Sequence, residues 1–231
     1  ASDVYKRQTL DFAYTLYLIL LDAPEIPNDQ IKHYVQKWFV LSTLTSRYIG
    51  SPESQMDRDM RSIQEKGFLS FLADTEASAL SETFWTVTLP QNLETSSVNS
   101  PAFNVFLAAQ EHLNCNSLFM NGLKVGDLIT ISGDIHHIFP RAYLRSNGVN
   151  SKTKYNQVAN YIYLDTQGNK AISDAAPCEY FGRALRQCET KELKLGNITE
   201  LTLLKENLAE NCIPETVIET VSYTHLRAHE T

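Results

Sequence analysis

The sequence predicts an α+β protein: a mostly helical N-terminal region followed by a small C-terminal unit of strands and a helix. Two observations carry this. Residues 9–113 set apolar side chains at i, i+3, i+4, i+7 spacing. Beyond Gly126 the pattern shortens into two strand-like runs, one ending in a pair of histidines and one rich in aromatics, followed by a further helix. The helical region is placed at residues 9–115 and the second unit at 116–220.

Within the helical region, Leu10, Tyr14, Tyr17, Leu18 and Leu21 outline a first helix that ends near Pro24. Ile31, Tyr34, Val35, Trp38, Phe39, Ser42, Thr45 and Tyr48 outline a second, with Asn28 and Asp29 as capping residues. Ser51-Pro52-Glu53 has the order of N-cap, first position and first-turn acid of a third, whose inner face carries Met56, Met60 and Ile63. Residues 88–100 read as a polar loop, and Asn99-Ser100-Pro101 opens a helix through Leu113. Stripes at packing spacing are core, not a cofactor box. There is no glycine-rich phosphate loop and no internal repeat.

The two ends stand apart. Asp3–Gln8 can be encoded by GATGTGTATAAGAGACAG and Val221–Leu226 by GTCTCTTATACACATCTC, reverse complements over nearly their whole length. They resemble inverted transposon ends of sequencing adapters read through in frame. Residues 1–8 and 221–231 are therefore expected to be non-native tails, and the chain a gene fragment.

The chain carries a formal net charge of −7, which argues against uniform coating of a nucleic acid. The charge is uneven, however. Asp134 to Lys194 holds nine Lys or Arg against six Asp or Glu, whereas residues 9–133 hold seven against fourteen. Cys115, Cys178, Cys188 and Cys212 show no C-x-x-C spacing and are expected to be reduced thiols, not zinc ligands. No apolar run reaches membrane-spanning length and no secretory signal is visible, so no membrane partner and a cytoplasmic location are expected.

The chemistry concentrates in Asp134-Ile135-His136-His137-Ile138-Phe139-Pro140. On an extended strand, successive side chains point to opposite faces, so one imidazole can bind metal while its neighbour faces a substrate. Imidazole is also the side chain suited to general-base work near neutral pH. A second string, Asn156-Gln157-Val158-Ala159-Asn160-Tyr161-Ile162-Tyr163-Leu164-Asp165, contains the next strand. Asn169-Lys170 is expected in a turn with Gly168. A helix is expected from near Ser173 or Asp174 past Pro177, Tyr180 and Phe181.

This order of elements, with His136-His137-Ile138-Phe139-Pro140, Asn160, Asn169 and Pro177-Cys178-Glu179-Tyr180-Phe181, resembles the HNH endonucleases and their ββα-metal fold. It is most similar to the C-terminal part of GmrSD-type modification-dependent restriction proteins. Arg47-Tyr48-Ile49-Gly50-Ser51-Pro52-Glu53-Ser54 is similar to the helical region of that family.

The resemblance implies a metal-dependent DNA endonuclease. In that scheme His137 is the base that activates water, and Asn160 holds the loop between the strands and orients the base. His136 and Asn169 are ligands of one divalent metal, Mg²⁺, with Asp134 as a further ligand or supporting acid. Lys170, Arg141 and Arg145 are candidates for phosphate contact. The family also implies an upstream nucleotide-hydrolysing, ParB-like module of the same gene as partner. The alternative is a non-catalytic nucleic-acid-binding module with the same fold.

Overall fold

The computed structural model describes residues 2–131 and 133–218, with side chains from Thr9 onward. The predicted tail at 221–231 lies outside the described residues, as do the side chains of residues 1–8. The described chain divides into two units. One runs to Leu93 and includes Val98–Val105; the other takes Glu94–Ser97 and everything from Phe106 on.

The first unit contains α1 (Ser2–Leu21), α2 (Asn28–Leu44), α3 (Pro52–Lys66) and α4 (Phe68–Ala79). Its core gathers Phe12, Leu16 and Leu20 from α1, Ile31, Trp38 and Leu41 from α2, Ile63 from α3, and Phe68, Phe71 and Leu72 from α4. The stripe expected on α2 is seen in part: Ile31, Trp38 and Ser42 are buried. Helix α3 begins as expected, with Ser51 at the N-cap position and Pro52 inside it. Helix α1 is a correction. The helix forms, but Leu10, Tyr14, Tyr17, Leu18 and Leu21 are its exposed residues. Both faces of α1 are rich in Leu, Phe and Tyr, so periodicity reports the helix without choosing the face that packs.

The expected polar loop at 88–100 is also shorter than predicted. A π-helical turn, Phe84–Thr88, leads into α5 (Leu89–Leu93). Helix α6 spans Pro101–His112. The division between the units falls inside α6, at Val105–Phe106, where sequence reasoning drew it after Cys115. Segment 94–97 belongs to the second unit for a visible reason: Val158 N–H donates to Thr95 O (2.8 Å) and Tyr161 OH to Ser96 O (3.4 Å).

The second unit continues with α7 (Val125–Thr130), β1 (Asp134–His137), α8 (Arg141–Ser146), α9 (Lys152–Tyr155), a 3₁₀ turn at Val158–Asn160 and β2 (Tyr161–Leu164). It ends with α10 (Thr166–Ile172), α11 (Pro177–Thr190) and α12 (Leu201–Glu210). Strands β1 and β2 pair antiparallel in the register Asp134↔Leu164, Ile135↔Tyr163, His136↔Ile162 and His137↔Tyr161. The class is therefore α+β, with many helices and one two-stranded sheet among the described residues.

The core of this unit joins Ile162 and Leu164 of β2 to Ile172, Tyr180, Phe181 and Ala184, with Leu204 and Leu208 from α12. Two expectations change here. Asn169 and Lys170 are not in a turn but in α10, because Asp165 caps that helix by accepting from Gln167 N–H and Gly168 N–H, both at 2.9 Å. The next helix starts at Pro177, not near Ser173. Ser173 takes φ 50°, which breaks α10, and Pro at the first position opens α11.

The four cysteines are free, Cys115 and Cys188 buried, Cys178 and Cys212 exposed. Among the described residues no helix is long and apolar enough to cross a membrane.

Candidate active site

Strand β1 sorts its side chains by the alternation of an extended chain: Asp134 and His136 share one face, Ile135 and His137 the other. On the first face, His136 Nδ1 lies 2.7 Å from Asn169 Oδ1, and Asn169 Nδ2 donates to Asp134 Oδ2 at 3.3 Å. Asn169 reaches this point because the Asp165 cap starts α10 immediately after β2, so the second turn of that helix faces β1. Three residues, Asp134, His136 and Asn169, thus form a chain of polar contacts across two elements.

His136 is buried, 7% exposed, and its Nε2 meets no hydrogen-bond partner among the described residues. Burial lowers its pKa below the usual imidazole value. The Asn169 hydrogen bond works against that shift, nearby His137 adds to it, and Asp174 opposes it. The neutral ring, which is the metal-binding form, is therefore favoured.

His137 occupies different surroundings. Its Nε2 lies 3.1 Å from Asn156 Oδ1, just after α9, and its ring stands edge-on to Tyr161 with centroids 4.9 Å apart. Asn160 does not meet His137 directly. Its amide closes the loop after β1: Phe139 N–H donates to Asn160 Oδ1 (2.7 Å), and Asn160 Nδ2 donates to Phe139 O (3.0 Å) and Tyr155 O (3.2 Å). Tyr180 OH donates to Ile138 O, tying the same loop to α11.

Arg141, Arg145 and Lys170 are exposed and make no ion pair among the described residues. Arg141 and Arg145 lie on α8, inside the connection between the strands, and Lys170 lies beside Asn169 on α10. Two exposed residues of α9, Lys152 and Lys154, extend this set and were not singled out from the sequence. The signal was present: residues 135–164 contain no Asp or Glu, in a chain of net charge −7. Asn156 is not distinguishable in the sequence, because nothing local marks an asparagine as the partner of a histidine 19 residues away.

The donor set at this face is one imidazole, one amide oxygen and one carboxylate. Asn169 Oδ1 accepts at 2.7 Å, so the proton of a neutral His136 ring lies on Nδ1, and the lone pair through which this ring would bind a metal is on the buried, unpartnered Nε2. The Asp134 carboxylate meets the amide nitrogen of Asn169, which turns Oδ1 towards His136. Among the described residues, no group of three or more His, Cys, Asp or Glu side chains is disposed to hold a metal, so a site here needs the Asn169 amide oxygen and coordinating water. Compared with protein-family models, curated proteins and solved structures, the chain gives no match.

Proposed function

We propose that the chain is an HNH-type endonuclease that hydrolyses DNA phosphodiester bonds with one divalent metal, Mg²⁺, as part of a cytoplasmic restriction or defence protein. The observation that carries this reading is the meeting of Asp134, His136 and Asn169 in one polar cluster, with His137, a second imidazole under separate control, on the adjoining residue.

In this reading His136 and Asn169 hold the ion and Asp134 orients the Asn169 amide. A divalent metal held by these residues would supply electrostatic stabilisation of the charge that develops on the scissile phosphate. His137 takes the proton from the attacking water. Asn160 keeps the backbone of Phe139 and Tyr155 in place, and so holds the loop after β1 and the end of α9 next to His137. Arg141, Arg145, Lys152, Lys154 and Lys170 offer cationic contacts to the DNA backbone, whose phosphates an otherwise acidic chain would repel. A nucleotide-hydrolysing module of the same gene is the expected partner.

The test is nicking of supercoiled plasmid at fixed free Mg²⁺, with chelator as control. His137→Ala is expected to lose ~10²–10⁴ in rate, the scale of a general base, with its melting curve unchanged. Cutting should need metal and no added nucleotide. Wild-type cutting by His137→Ala would remove the base assignment. DNA binding without nicking by the native chain, under any divalent metal, would favour the non-catalytic binding module.

A further inference from the structure

We propose that Asn156 is the positioning residue of this site: it holds His137 as the Nε2–H tautomer and leaves the Nδ1 lone pair to act as base. The inference rests on the nuclease reading for its catalytic consequence, but its structural content stands on contacts of His137 alone. Neutral imidazole has one N–H and one lone pair, and the partner of one nitrogen decides which is which. Asn156 Oδ1 only accepts, and it lies 3.1 Å from His137 Nε2. The proton therefore resides on Nε2. The Tyr161 ring, edge-on at 72° to the imidazole, limits rotation of the ring away from that bond.

Asn156 is itself held on both sides. Its backbone N–H donates to Lys152 O at 2.9 Å, which ends α9. The carbonyl of the preceding residue, Tyr155, accepts from Asn160 Nδ2 at 3.2 Å, and the Tyr155 side chain is buried. Asn160 therefore acts on His137 through Asn156: it fixes the Phe139 loop and the end of α9 with one amide, and α9 delivers the acceptor. Every other asparagine at this site is committed elsewhere, Asn169 to His136 and Asp134, Asn160 to backbone.

The readout is the tautomer, measured in the full chain by long-range ¹H–¹⁵N correlation on ¹⁵N-labelled histidine. The His137 signals are assigned by their loss in His137→Gln. The native chain should show Nε2 protonated and Nδ1 bare. Asn156→Ala should shift the ring towards the other tautomer or a mixture, whereas Asn156→Asp, which keeps an acceptor oxygen, should retain the native one. In the nicking assay, Asn156→Ala should lower kcat by about 10–100-fold, the scale for loss of an outer-shell partner, with KM little changed, and Asn156→Asp should recover part of it. A native His137 protonated at Nδ1 overturns the proposal without any variant, and so does an Asn156→Ala protein with the native tautomer. If the native chain does not cut DNA, the nuclease reading fails, while the tautomer still decides the role of Asn156.

Discussion

Four hydrogen bonds converge on the Asp59 carboxylate: Arg47 Nε (2.8 Å) and Nη2 (2.6 Å), Tyr48 OH (2.9 Å) and Gln55 Nε2 (2.8 Å). The Arg47 guanidinium also lies over the Trp38 ring, 5.3 Å from its centroid. A buried charge with all its partners is stable; the same partners left alone are not. Asp59→Ala should therefore destabilise the first unit by about 3 kcal/mol, the low end for a broken buried pair because the Arg47 side chain is 21% exposed. Urea unfolding should show a lower midpoint at unchanged slope. A shift within ~0.5 kcal/mol, as for an ordinary surface site, would mean that the network adds nothing. Thiols give a second residue-scale prediction. Burial pushes the Cys115 and Cys188 thiols up, the Glu210 charge adding to the first. A raised pKa means less thiolate, the reactive form. Alkylation at neutral pH, followed by peptide mass spectrometry, should label exposed Cys178 and Cys212 before Cys115 and Cys188. Equal labelling would show that the two buried sites open readily.

At the scale of elements, α10 matters more to the site than its seven residues suggest. Its cap, Asp165, sets where the helix starts, and the start sets where Asn169 points. Asp165→Ala should cost about 1 kcal/mol in stability, the usual price of a lost cap, yet slow nicking by more than that loss of folded protein explains. Unchanged nicking in the capless variant would show that the site tolerates a displaced α10. The same helix marks a limit of sequence reasoning. Gly168-Asn169-Lys170 has turn composition, and only the two amides received by Asp165 turn it helical. Helix α1 makes the complementary point. Its existence was legible, but with apolar residues all around it, the packed positions Phe12, Leu16 and Leu20 were chosen by neighbouring helices.

For the whole molecule, the proposed DNA substrate raises the question of how an acidic chain would meet a polyanion. Charge segregation favours that reading: thirty consecutive residues, 135–164, carry no carboxylate side chain and include Arg141, Arg145, Lys152 and Lys154. Each phosphate contact steepens the dependence of log affinity on log salt by about 0.9 for duplex DNA. Replacing Lys152 and Lys154 together by Ala should therefore flatten that slope by about 2, measured by fluorescence anisotropy across a salt series. An unchanged slope would take α9 out of the DNA interface.

The tandem histidines, the strand that bears them, and the two downstream asparagines were readable from the chain, because alternation and residue chemistry are local properties. Local pattern also announced the α+β class: helical spacing ahead of residue 113, strand-like runs after it. The partners were not readable. That His136 faces Asn169 across 33 residues, that His137 leans on Asn156, and that Asn160 spends its amide on Phe139 and Tyr155 are consequences of β1 pairing with β2 and of α10 beginning at Asp165. A hydrogen bond needs its atoms within about 3 Å of one another, and sequence spacing says nothing about such distances until the strands have paired and the helix caps have formed.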